Sequence, residues 1–172
     1  MSGGKDCIFI ATHEGMAIRF EESDVRPMGR PARGVRAMTL DDGDYVVAAE
    51  VVGEEDRMLS ISENGLGKRT SIKEYRLTGR GGKGVINMKT TARVGKVMNV
   101  LSLTEDQDIA IITQNGKLIR IEAATVRQAA RATQGVKLVD LEPGDRVAAA
   151  SVIPDSANGR NGGDDNGGTP IQ

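Results

Sequence analysis

The 172-residue sequence predicts an all-β fold, an array of propeller-like blades built from four short strands each. Three observations carry that expectation. Blocks of about fifty residues repeat three times in register, a period that belongs to blades or solenoids. Counted from Gly15, Gly65 and Gly116, arginine recurs four residues on (Arg19, Arg69, Arg120), eleven on (Arg26, Arg76, Arg127) and fifteen on (Arg30, Arg80, Arg131). Nineteen residues on, a Gly-Val pair follows in every copy: Gly34-Val35, Gly84-Val85 and Gly135-Val136. Finally, turn signals such as Asn64-Gly65 and Asn115-Gly116 separate apolar, β-branched runs, the pattern of tight hairpins.

The first repeat, residues 6–53, reads as strands over Ile8–Thr12 and Met16–Phe20 around Glu14-Gly15, then Val35–Leu40, an Asp-Asp-Gly-Asp turn at 41–44, and Tyr45–Val52. The second, residues 57–103, places strands at Met58–Ser62, Gly67–Ile72, Val85–Lys89 and Val97–Leu103, with its Gly84-to-Gly95 spacing two residues longer than Gly34 to Gly43. The third, residues 108–154, follows with Ile109–Thr113, Leu118–Ile121, Val136–Leu141 and Val147–Val152, the last two joined by a Glu-Pro-Gly-Asp turn at 142–145. Residues 155–172 are Gly-, Asn- and Asp-rich, and the stretch from Asn158 to Gly168 has no apolar side chain to bury, so a disordered tail is expected.

Composition narrows the function. Aromatic residues are 2% of the chain, which argues against readers of single strands that stack bases on aromatic platforms. Cys7 is the single cysteine and His13 the single histidine, so neither an internal disulfide nor a metal cluster is expected, and no cofactor motif is present. Apolar runs are strand-sized, which predicts no membrane span and a cytoplasmic chain.

A net charge of −1 conceals an uneven distribution. Between Arg57 and Lys96 ten basic residues face only Glu63 and Glu74, a net of 10 − 2 = +8. Cations recurring at one place in a repeat are displayed as a spatial series, which suits a polymer of phosphates. The densest signal is Gly79-Arg80-Gly81-Gly82-Lys83-Gly84, where glycines let backbone amides approach a phosphate and Arg80 and Lys83 supply charge. It is not a nucleotide-binding P-loop, because no Lys-Ser or Lys-Thr pair closes it. Two other readings stay open: the glycines permit a tight crossing between blades, and the strand arginines Arg19, Arg69 and Arg120 pair with local carboxylates. The expected DNA-contacting set is Arg80, Lys83, Gly81, Gly82, Gly84, Arg76, Lys89, Arg69, Arg30, Arg33 and Arg131.

Residues 79–87 (GRGGKGVIN) with Lys89-Thr90-Thr91, followed by Thr133-Gln134-Gly135-Val136 and Gly144-Asp145, closely resemble the C-terminal domain of bacterial DNA gyrase A over residues 6 to 154. The resemblance implies a six-bladed β-pinwheel that wraps duplex DNA around its rim in support of ATP-dependent negative supercoiling, with three blades present here. Of the family's wrapping box, Q-R-R-G-G-K-G, the last five residues match Arg80 to Gly84, while Thr78 and Gly79 stand at the first two. It also implies the remainder of gyrase A, and gyrase B, as partners. A catalytic tyrosine with its arginine neighbour and an ATPase site are not expected in this stretch. The corresponding C-terminal domain of topoisomerase IV is the nearest alternative, and a propeller-like protein-interaction scaffold is the alternative from another class. Open edges at either side of three blades predict self-association.

Overall fold

The computed structural model describes residues 6–153, and the expected tail at 155–172 lies outside them. Eleven strands form: β1 (Cys7–Thr12), β2 (Met16–Glu21), β3 (Val46–Val52), β4 (Arg57–Ser62), β5 (Leu66–Ser71), β6 (Val85–Ile86), β7 (Val97–Leu103), β8 (Asp108–Thr113), β9 (Leu118–Glu122), β10 (Val136–Lys137) and β11 (Val147–Ile153). The hairpins β1–β2, β4–β5 and β8–β9 turn at the glycines that anchor the repeat, all at positive φ. A single 3-10 turn follows each hairpin, at Glu22–Asp24, Ile72–Glu74 and Ala123–Thr125.

The sheets depart from the expected one-repeat, one-blade plan. Their orders are β3-β1-β2-β6, β10-β5-β4-β7 and β11-β8-β9, so the first two sheets are each completed by a short strand from the following repeat. Val85 and Ile86 pair with Ala17 and Met16, and Val136 and Lys137 with Gly67 and Leu66. The expected strand Val35–Leu40 is not a strand. Its physical reason is the exchange itself: among the described residues no earlier hairpin offers Val35 an edge. The third sheet has three strands among the described residues, in the order β11-β8-β9, with β9 at its edge.

β3 packs beside β7, and β7 beside β11, so these strands line one side of the stack. Each sheet's opposite margin is outermost, and there the exchanged segments run. Apolar clusters weld the repeats together: Phe9, Val52, Met58, Ile72, Tyr75 and Val100 belong to one, and Leu59, Ile61, Leu103, Ile109, Ile111, Val126 and Val147 to the next. Tyr75 is fully buried with its ring edge-on to Phe9 at 4.9 Å, and its hydroxyl donates to Asn87 Oδ1 at 2.5 Å. Asn87 is joined in turn to Ser60, so the side chains of Tyr75, Asn87 and Ser60 satisfy one another inside this core.

Candidate nucleic-acid interface

Each exchanged segment is a strap laid along the outer edge of the preceding hairpin. In the second repeat the strap runs from Arg76 to Lys89. Thr78 N–H donates to Arg19 O at 2.9 Å, Val85–Ile86 form the short strand, and Asn87 N–H donates to Gly15 O at 2.7 Å. In the third repeat, Arg69 N–H donates to Arg127 O, Ala129 N–H donates to Arg69 O, and Leu138 N–H donates to Gly65 O. Two of the three arginine rows ride on these straps: Arg76 and Arg127 at the start, Arg80 and Arg131 in the middle. Arg30 and Arg33 lie at the matching place in the first repeat and are exposed.

The strap arginines are anchored at one end. Arg80 donates through Nε to Asp24 O at 3.0 Å and through Nη1 to Arg36 O at 3.1 Å. Arg131 repeats this on the next blade, donating to Ile86 O at 2.7 Å. Both use part of their five-donor fork on backbone and keep the remainder for an outside acceptor. Lys83, exposed, meets Asp41 at 2.5 Å, and that hydrogen bond and charge raise its pKa. Arg76 and Lys89 are exposed at opposite ends of the same strap, and their side chains have no ion-pair partner among the described residues.

The glycines divide between two roles. Gly84, at φ +78°, crosses so tightly over the first hairpin that a Cβ there would lie 2.1 Å from Ala17 O. Gly135 does the same over Gly67. This is the blade-crossing reading, and at Gly84 the crossing by itself requires the glycine. Gly81 N–H is likewise committed, donating to Ala37 O at 2.6 Å, and Gly81 O accepts from Thr39 Oγ1. Gly82 is exposed beside it and keeps its place on the strap.

Arg69 is the plain correction. It is 6% exposed, and its guanidinium donates to Val126 O at 2.8 Å and Ala124 O at 3.3 Å while meeting Glu105 at 3.2 Å. Arg19 makes the same fastening one blade earlier, donating to Ile72 O and Tyr75 O and pairing with Glu54. These strand arginines cap the carbonyls of the next repeat's 3-10 turn, so they hold blades together and present nothing outward. Only Arg120 of that row is exposed, and it pairs with Asp108.

Lys68 also leaves the basic surface. It is fully buried, and its ammonium donates to Asn87 O and Ala130 O, each at 2.8 Å, and to Arg131 O. Burial pushes its pKa down from 10.5 to about 8, with Glu74 and Arg131 acting on it in opposite senses. The sign follows by linkage. Between about pH 8 and 10 the unfolded chain binds more protons than the folded one, so stability rises with pH across that window. Above about pH 10, Tyr75 reverses the trend, because burial pushes its phenol upward while an unfolded tyrosine ionises. Urea unfolding should therefore show a gain of about 1–3 kcal/mol from pH 8 to pH 10 that Lys68→Met lacks. Equal pH profiles for the two proteins would reject a buried ammonium.

Of the ten cations from Arg57 to Lys96, then, Lys68 and Arg69 are interior, while Arg57, Lys73, Lys83 and Lys96 stand beside acids. What remains outward is Arg76, Lys89, Arg93 and the half-used Arg80. Arg127 belongs with them, exposed at the start of the third strap. Its row was visible in the repeat, but with Arg131 so close the sequence offered no reason to prefer it.

The family model of the DNA gyrase C-terminal domain, beta-propeller, matches residues 8–53, 56–104 and 107–154. The chain belongs to that family. The DNA gyrase A protein of Kosmotoga olearia is 44% identical over 155 residues, and that of Staphylococcus aureus (strain MRSA252) 39% identical over 163, covering 89% and 94% of this chain. The chain spans 19% and 18% of those relatives' lengths. Among solved structures, a DNA gyrase A C-terminal domain superposes with a TM-score of 0.80 at 27% identity, covering 87% of this chain and 51% of the other. A C-terminal domain of DNA topoisomerase IV has the same fold, with a TM-score of 0.83 at 23% identity, covering 88% and 48%. The gyrase C-terminal domain family thus accounts for all three repeats. No helix among the described residues is long and apolar enough to cross a membrane.

Proposed function

We propose that this chain is a duplex-DNA-binding element of DNA gyrase A. DNA lies across the straps, held by its phosphates and not read for sequence. As part of the whole gyrase A protein, and together with gyrase B, it contributes to the DNA wrapping that accompanies ATP-dependent negative supercoiling in the cytoplasm. The breaking of strands and the hydrolysis of ATP are assigned to other parts of that enzyme. The observation that carries the reading is the recurrence of outward cations, Arg76, Arg80 and Lys89 and then Arg127 and Arg131, on successive straps at the outer edge. Curated relatives named as gyrase A favour gyrase over topoisomerase IV, whose solved domain shares the fold at lower identity.

Arg76→Ala combined with Lys89→Ala tests this without disturbing the fold, since neither side chain has an ion-pair partner to lose among the described residues. Affinity for any duplex should fall, and the slope of log K against log salt should flatten by about two, nearly one per phosphate contact. Fluorescence anisotropy over a salt series reads both quantities. An unchanged slope would show that DNA does not follow the straps.

A further inference from the structure

We propose that Lys68 is a positioning residue for DNA: its buried ammonium fixes the third strap against the second, and so holds Lys89 and Arg131 at one spacing along the phosphate track. The inference rests on the DNA-binding reading above and adds to it a residue that touches no DNA.

Neighbouring straps are joined edge to edge, first to second and second to third, and the two joints are built almost alike. Counted from the repeat glycines, Ala37 matches Asn87, Thr39 matches Lys89, Gly81 matches Ala132 and Gly82 matches Thr133. Thr39 N–H donates to Gly82 O at 2.9 Å, and Lys89 N–H to Thr133 O at 3.1 Å. The arginines repeat as well, Arg80 donating to Arg36 O at 3.1 Å and Arg131 to Ile86 O at 2.7 Å. One bond does not repeat. Gly81 N–H donates to Ala37 O at 2.6 Å, whereas Ala132 N–H makes no such bond to Asn87 O.

The cause is backbone conformation. Gly81 holds φ +92°, and among the described residues only glycines hold a positive φ, so Ala132 does not turn its N–H as Gly81 does. Asn87 is fully buried, and its carbonyl needs a donor from elsewhere. Lys68 supplies it at 2.8 Å. In the first repeat Ile18 stands at the place of Lys68, and there the glycine makes the bond and no ammonium is required. The same ammonium donates to Ala130 O at 2.8 Å and to Arg131 O, both on the third strap, so one group fastens two straps. Three carbonyls take up its three N–H donors, with Thr70 Oγ1 a longer contact at 3.2 Å. Nothing is left over for a phosphate. Lys68 therefore acts on DNA through the residues it holds: Lys89 lies two positions beyond Asn87, and Arg131 itself carries one of the three carbonyls.

Lys68→Ile in the full chain copies the first repeat at that position, and adding Ala132→Gly copies the first joint without restoring the charge. Lys68→Ile should keep its circular dichroism spectrum, and its folded fraction should bind duplex about 3–10-fold more weakly by fluorescence anisotropy. The double variant should regain most of that affinity. A double variant as weak as the single would overturn the proposal, because Lys68 would then act through its own charge. Hydrogen exchange in the free chain reads the joint without DNA: the Lys89 amide should lose protection in Lys68→Ile and recover it in the double variant. An unchanged amide would overturn the proposal as well. A parent chain that binds no duplex overturns the DNA-binding reading and the proposal together, whereas a parent that binds, with Lys68→Ile binding equally well, overturns the proposal alone.

Discussion

Gly84→Ala is expected to cost about 2–6 kcal/mol, the sum of left-handed backbone strain and an overpacked crossing. The added methyl would sit 2.1 Å from Ala17 O and 2.7 Å from Ala17 C, and both are backbone atoms of a paired strand that cannot swing aside. Gly43→Ala separates the two contributions. Gly43 has φ +80° with nothing within 4 Å of a Cβ, so only the conformational cost of about 1–2 kcal/mol applies. Chemical denaturation of the two variants beside the parent measures the difference. If they lose the same stability, the strap does not press on the first hairpin.

Arg69→Ala is expected to destabilise by about 2–4 kcal/mol. It strips the carbonyls of Val126 and Ala124 of their donor inside the structure, and the aliphatic stem leaves a void between two repeats. Arg69→Lys should recover only part of the loss, because an ammonium cannot span two carbonyls with the flat fork of a guanidinium. Glu105 adds little to either figure, since it is largely exposed and its ion pair is screened. Binding of DNA by the folded fraction of Arg69→Lys should match the parent. A lowered salt slope in that variant would return Arg69 to the interface.

The repeats and their hairpins were legible because their cause is local. Asn64-Gly65 and Asn115-Gly116 fix turns from within four residues, and the apolar runs beside them need only each other. The exchange of strands was not legible, since Val85 finds Ala17 from 68 positions away (85 − 17) and nothing in the composition of either says which hairpin it completes. For the arginine rows, the sequence offered identical residue types with opposite fates. Arg69 points into the next repeat because it lies on a strand facing the 3-10 turn, while Arg76 points out because it begins the strap. Lys68 misled for a sharper reason. The matching residues are Ile18 and Ile119, so an apolar position was in view, but a lysine there reads as surface charge until the Asn87, Ala130 and Arg131 carbonyls that cage it are known.

Because β6 belongs by sequence to the second repeat and by hydrogen bonding to the first, the unit that repeats along the chain and the unit that melts are not the same. Opening the second repeat unravels its own sheet and withdraws the fourth strand from its neighbour, so loss of order spreads backwards along the chain. Hydrogen exchange should grade accordingly, with amides of β5 protected on both flanks and those of β9 exchanging soonest among the hairpin strands. Repeats overlapping like roof tiles can be inherited or deleted only together with the strip that covers the previous course. A polypeptide cut at any repeat boundary carries one unfinished sheet and one spare strap.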